Sequence, residues 1–258
     1  MKINQLIALL LIAIGFVACD TEDPKPEPQS PDMGEFTLRF EPYWEDEPLA
    51  IGDVYNTSDG FRLRVENLDF YISNVTINHS EDGPKEGVDV ALLQDESENM
   101  EVSFDAKAGS YSGFSFAFGI PSEVNTDSDP TQFPNSHPLS VQGSNGMFWT
   151  WNTGYIFTTF DGRADTTGTE GAPLNHPFAF HCGHDSLYEL RDYSDTSFEI
   201  TEGENTVITM RIQVDQILTN PENPVDIREE SVTHSSGEAG LALAEKIVDN
   251  FYDATTLE

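Results

Sequence analysis

The chain is 258 residues long, with 12 Lys+Arg against 46 Asp+Glu and a formal net charge of −34. That excess repels nucleic acid phosphates and anionic bilayer faces, which leaves cationic partners and metal cations as the electrostatically attracted ligands. With 38% hydrophobic residues and 17 Phe, the sequence has the material for one large domain with its own core and is no acidic disordered tail.

Lys2 gives the N-terminus a positive flank. Residues 6–18 form an apolar run too short to cross a bilayer but suited to the hydrophobic region of a secretion signal. The run closes on Phe16-Val17-Ala18-Cys19, which resembles a bacterial lipobox, in which the cysteine is acylated through sulfur and becomes the first mature residue. An ordinary secretory peptide cut nearby is the alternative. On the lipobox reading residues 1–18 are removed, Cys19 anchors the protein, and Cys182 is left as the free thiol. Residues 19–34 then combine acidic residues with Pro24, Pro26, Pro28 and Pro31, a pattern that stays extended and acts as a tether. Acidic residues directly after a lipidated cysteine resemble the surface-export signal of Bacteroidetes-type lipoproteins. The expected location is therefore the outer membrane, with the cell surface preferred over the periplasmic side.

From residue 35 to residue 258 one domain is expected. Phe36, Leu38 and Phe40 alternate with polar neighbours, as do Phe114, Phe116 and Phe118, and then Ile208, Met210, Ile212 and Val214. Period-two alternation places one face of each segment in a core and the other in water. Shorter runs at 61–65, 70–77, 88–93, 147–160 and 177–181 bring the expectation to about eight to ten strands, an all-β antiparallel β-sandwich. Near the C-terminus Leu241, Ala244, Ile247, Val248 and Phe251 recur at helical spacing, with Ser235 and Glu238 spaced as a capping box, so one amphipathic helix is expected there. The long stretch from Pro121 to Gly146 is an irregular loop of the kind that is usually functional or mobile. Its Asp127 and Asp129 are hard donors that could hold calcium, although the full EF-hand pattern is absent and a solvated acidic loop is the plainer reading.

Four motifs in order resemble the MbnP-like family. They are Phe70-Tyr71-Ile72-Ser73-Asn74-Val75; Tyr111-Ser112-Gly113-Phe114-Ser115-Phe116 running on to Gly119-Ile120-Pro121 and Asn125; the MFWTWNTGYIF stretch beginning at Met147; and Phe178-Ala179-Phe180-His181. The resemblance covers about residues 36–252. It implies a β-sandwich that binds copper outside the cytoplasm. It also implies a di-haem cytochrome c peroxidase-like partner, which in relatives oxidises one tryptophan to kynurenine to join histidines around Cu(I). Imidazole with soft donors suits monovalent copper. Relatives carry a tryptophan and a histidine two residues apart, a pair this sequence lacks, and a histidine after the position of Asn125, where Thr126 stands.

The candidate metal ligands are His181, which matches the family's Phe-His-x-Gly position, with Cys182 and His184 beside it and His234 from distant sequence. His181-Cys182-Gly183-His184 converges on one ion only if the chain turns at Gly183, because neighbouring residues of a strand face opposite ways. Without that turn the pair are surface histidines; His234 reads either as a partly exposed residue bracing the start of the helix or as a third imidazole delivered to the same pole of the sandwich. His79, His137 and His176 sit in polar connections and read as solvent-facing. The candidate modified tryptophans are Trp44, Trp149 and Trp151. Trp149 and Trp151 share a strand face in an apolar run and read as core. Trp44, among Glu41, Glu45, Asp46 and Glu47, reads as exposed and reachable by a partner. Nucleophile elbow, P-loop and zinc-helix motifs are missing from the sequence, so the expectation is a non-enzyme. The rival expectation is a metal-free surface module for glycans or proteins, with the aromatic stretch wholly structural.

Overall fold

The computed structural model describes residues 32–95, 100–149 and 154–258. The secretion signal, Cys19, the tether up to Pro31 and Trp151 lie outside them. In chain order the strands are β1 (Met33–Trp44), β2 (Glu47–Pro48), β3 (Val54–Asn56), β4 (Arg62–His79), β5 (Gly83–Leu93), β6 (Met100–Lys107) and β7 (Gly109–Phe118), followed by helix α1 (Ser122–Asp127). After a long connection come β8 (Thr158–Asp165), β9 (His176–Cys182), β10 (Glu189–Tyr193), β11 (Phe198–Ile200), β12 (Asn205–Gln213), α2 (Asp215–Thr219), β13 (Val232–Thr233), α3 (Gly237–Asp253) and β14 (Thr255–Leu257).

The strands form two sheets. The first runs β14-β12-β1-β2 with β6 also on β1, and the second runs β10-β7-β4-β8-β9-β13 with β3 and β5 on β4 and β11 on β7. The expected β-rich sandwich is present, but its strands are not all antiparallel. Tyr43 pairs with Gln213 and Glu35 with Asn205 in a parallel β1–β12 ladder, and β13 lies parallel to β9. Alternation dictates which face is buried and says nothing of strand direction, so the mixed pairing escapes it. The two short runs expected at 61–65 and 70–77 are one strand, β4, which stays continuous because a register shift between Val65 and Asn67 absorbs an extra residue against β8.

Phe40 on the first sheet meets Phe70 and Phe116 on the second, both at 5.3 Å between centroids and near perpendicular. Edge-on pairs of this kind add about 0.5–1.5 kcal/mol each beyond the area they bury. Helix α3 completes the core, with Tyr252 stacked on Phe118 at 4.4 Å and Ala244, Ile247, Val248 and Phe251 all buried.

Two local expectations change. The connection after β7 is stitched down: the buried Asn125 accepts the Tyr155 N–H at 2.7 Å and donates to Asp185 at 2.8 Å, and the Tyr71 hydroxyl donates to the Pro138 carbonyl. The 147–160 run is not one strand. Phe148 and Tyr155 form an isolated bridge, and regular pairing begins only at Thr158.

Candidate functional site

The parallel β9–β13 pairing sets Thr233 beside Phe180. The next residue along each strand is a histidine, so His181 and His234 emerge side by side although they are far apart in sequence. Their ring centroids are 5.1 Å apart and their planes stand at 84°.

A turn locks this arrangement. Ser235 has φ +52°, a left-handed conformation that serine adopts at a cost. In that conformation its hydroxyl accepts the Gly183 N–H at 3.0 Å and donates to the His181 carbonyl at 3.4 Å, while its own N–H reaches Thr233 Oγ1 at 3.1 Å. Ser235 is therefore committed to β9 and forms no capping box with Glu238. The N-cap of α3 is Ser236, which makes no side-chain capping bond.

Asp161 on β8 completes the group. In the antiparallel β8–β9 ladder Thr159 lies opposite His181, and Asp161 follows two residues on along the same face. Asp161 Oδ2 lies 3.0 Å from His181 Nε2, and both side chains are 27% exposed. Its other oxygen, Oδ1, is buried without a hydrogen-bond partner. Burial lowers the pKa of His234, and the neighbouring His181 lowers it further against the opposing pull of Asp161. A neutral imidazole keeps a ring lone pair, which is the form that ligates a metal. Asp161 escapes a sequence reading because 46 acidic residues compete for attention. The signal that finds it is its phase with Thr159 on a strand next to His181.

The remaining candidates are placed elsewhere. Cys182 is fully buried on the opposite face of β9, where burial, with Asp161 adding to it, pushes the thiol pKa far up. His184 is exposed and accepts the Ser186 N–H at 3.1 Å, capping a short 3₁₀ turn over Asp185–Leu187. The strand ends at Cys182 with no turn or bend at Gly183, so the local histidine, cysteine and histidine are not gathered around one point. Thr126, where relatives are expected to hold a histidine, donates to Asp185 at 3.3 Å.

Trp149 is buried, and its Cζ3 would stand 3.1 Å from a β-carbon placed on Gly183. Trp44, expected to be exposed, is only 4% exposed. It stacks on Tyr55 at 4.9 Å and donates Nε1–H to the Asn56 carbonyl at 3.3 Å. Of the three histidines expected to face solvent, His79 is buried, while His137 and His176 are half-buried. His79 is 8% exposed and accepts the Glu81 and Asp82 N–H groups, His137 stacks on Phe133, and His176 Nε2 meets the Ile227 carbonyl. Asp129 spends its carboxylate on Thr131. Among the described residues no three His, Cys, Asp or Glu side chains are arranged to hold a metal. The donor set is thus two imidazoles with a carboxylate behind one of them, which fits a soft cation of low coordination number and falls short of the six or more oxygens a calcium ion takes.

In comparisons with known proteins, a family described as MbnP matches residues 33–236. A solved structure titled MbnP from Methylosinus trichosporium is similar at 15% identity with a TM-score of 0.47, covering 70% of this chain and 75% of that one. No curated protein matches. With most of its length matched by that family, the chain belongs to the MbnP family.

Proposed function

We propose that this protein is a cell-envelope lipoprotein, acylated at Cys19, that binds copper as Cu(I) through His181 and His234. The observation that carries the reading is the edge-to-face approach of those two rings at 5.1 Å. Membership of the MbnP family supports copper as the metal, and two imidazoles supply the nitrogen donors that Cu(I) accepts at low coordination number.

Trp149 is the indole we propose for oxidation to kynurenine, because among the described tryptophans it packs on Gly183, between His181 and His184. A peroxidase-like di-haem partner supplies hydrogen peroxide chemistry. Two hydrogen peroxide molecules are reduced as their O–O bonds break: each gives one oxygen atom and one water, the indole C2–C3 bond is cleaved to leave a ketone and an N-formyl group, and hydrolysis of that formamide by a further water releases formate and exposes the arylamine. The net charge of −34 suits docking to a cationic partner surface.

Cu(I) titration of the full chain in detergent, against His181→Ala and His234→Ala, tests the metal reading. Stoichiometric uptake by the native chain, with affinity lowered more than about tenfold by either substitution, is the expected result. Uptake indifferent to both substitutions removes this pair from the site, and no uptake by the native chain leaves the metal-free glycan- or protein-binding module. Peptide mapping of protein from the native host tests whether Trp149 is converted.

A further inference from the structure

We infer that Asp161 is a positioning residue: it fixes the ring of His181 and its tautomer, so that Nδ1 is the nitrogen turned to the metal. This assignment rests on the copper reading for its purpose, but its geometry stands by itself.

A carboxylate only accepts hydrogen bonds. The 3.0 Å contact between Asp161 Oδ2 and His181 Nε2 therefore requires a proton on Nε2, and a neutral ring protonated there carries its free lone pair on Nδ1. The contact is built on a rigid element, since Asp161 and His181 sit on adjacent paired strands whose register runs unbroken from Thr158–Cys182 to Ala164–His176. Metal-bound histidines commonly donate their second ring N–H to a carboxylate, which orients the ring and raises its basicity.

The second observation is the other carboxylate oxygen. Asp161 Oδ1 is buried with no hydrogen-bond partner, a costly state for an anionic atom. Among the described residues no Lys or Arg forms a salt bridge with Asp161, whose Oδ2 meets the His181 ring instead. A cation held on the far side of the His181 ring supplies the compensating charge through that ring. The acidic residue thus balances a monovalent metal while staying outside its ligand shell.

The test uses the full chain in detergent with ¹⁵N-labelled histidine, the native form beside Asp161→Ala and Asp161→Asn. Long-range ¹H–¹⁵N correlation on the metal-free protein reads the tautomer, with His181→Ala assigning the resonance. The native chain should show His181 protonated at Nε2, Asp161→Ala should show mixed tautomers, and Asp161→Asn, whose amide oxygen still accepts, should keep the native one. Cu(I) competition titration should then show affinity about 10–100-fold lower in Asp161→Ala.

A native His181 protonated at Nδ1, or an Asp161→Ala chain with unchanged tautomer and unchanged affinity, overturns the assignment. If Asp161→Ala does not fold, Asp161→Asn decides: its charge is gone, so an affinity equal to the native value overturns the charge-balancing role. Should the native chain take up no Cu(I), the copper reading fails, while the metal-free tautomer still decides whether Asp161 sets the ring.

Discussion

Gly183 and Trp149 are packed so closely that a single methyl group between them has no space: a β-carbon on the glycine would stand 3.1 Å from Trp149 Cζ3 and 2.2 Å from the Tyr155 carbonyl oxygen. Gly183→Ala must push apart the 155–156 backbone and the indole. We expect it to cost about 1–3 kcal/mol of stability, the usual range for overpacking. Urea unfolding read by tryptophan fluorescence checks this, and an unchanged midpoint contradicts the contact.

His184 and His181 stand three residues apart, yet the structure gives them different work. His184→Ala removes only the cap on the Asp185–Leu187 turn and should leave Cu(I) affinity unchanged. His181→Ala and His234→Ala should each weaken it by more than about tenfold, the equivalent of about 1.4 kcal/mol. Competition against a Cu(I) chelator separates these outcomes, and equal losses at all three positions would restore the local cluster.

Trp44→Ala should destabilise the fold by about 3–5 kcal/mol, because it empties a buried site stacked on Tyr55 and discards an indole hydrogen bond. Cu(I) affinity should not move. Thermal denaturation reads the first effect, and oxidised Trp44 in peptides from the native host would contradict its burial.

Cys182 should be inert toward iodoacetamide in the folded protein and fully alkylated once unfolded, since thiolate is the reactive form and burial disfavours it. Mass spectrometry of a Cys19→Ser chain, whose sole remaining thiol is Cys182, gives the answer directly.

Asp165 has its carboxyl held below the usual range, first by hydrogen bonds from the Thr167 hydroxyl and N–H and then by Arg62. A carboxyl lowered in the folded state lends stability that is present above its unfolded pKa and is lost as pH falls through the folded one. Asp165→Ala should therefore be less stable than the native chain at neutral pH, and the gap should close in strong acid. Denaturant melts at several pH values test this, and a gap constant with pH would refute it.

The strands carrying Phe36, Leu38 and Phe40, or Phe114, Phe116 and Phe118, were readable because alternation is a property of each segment alone. Trp44 was readable on the same principle: it continues the phase of Phe36, Leu38 and Phe40, and only its acidic neighbours argued for exposure. Pairing direction and the His181–His234 contact depend on which distant segments come to lie together. His234 pairs with His181 through the register of Thr233 with Phe180, which no local pattern encodes. His234 stands among the candidate ligands, but nothing local sets it apart from a helix-bracing histidine, while Cys182 and His184 adjoin His181 in sequence without sharing its site. Ser235 looked like a capping residue because its spacing to Glu238 fits, whereas its left-handed backbone turns its hydroxyl to Gly183.

The parallel ladder joining residues 35–43 to 205–213 also has a temporal meaning. A ribosome must deliver the chain as far as residue 213 before the opening strand meets its longest neighbour along its full length, and such far-reaching closure slows folding.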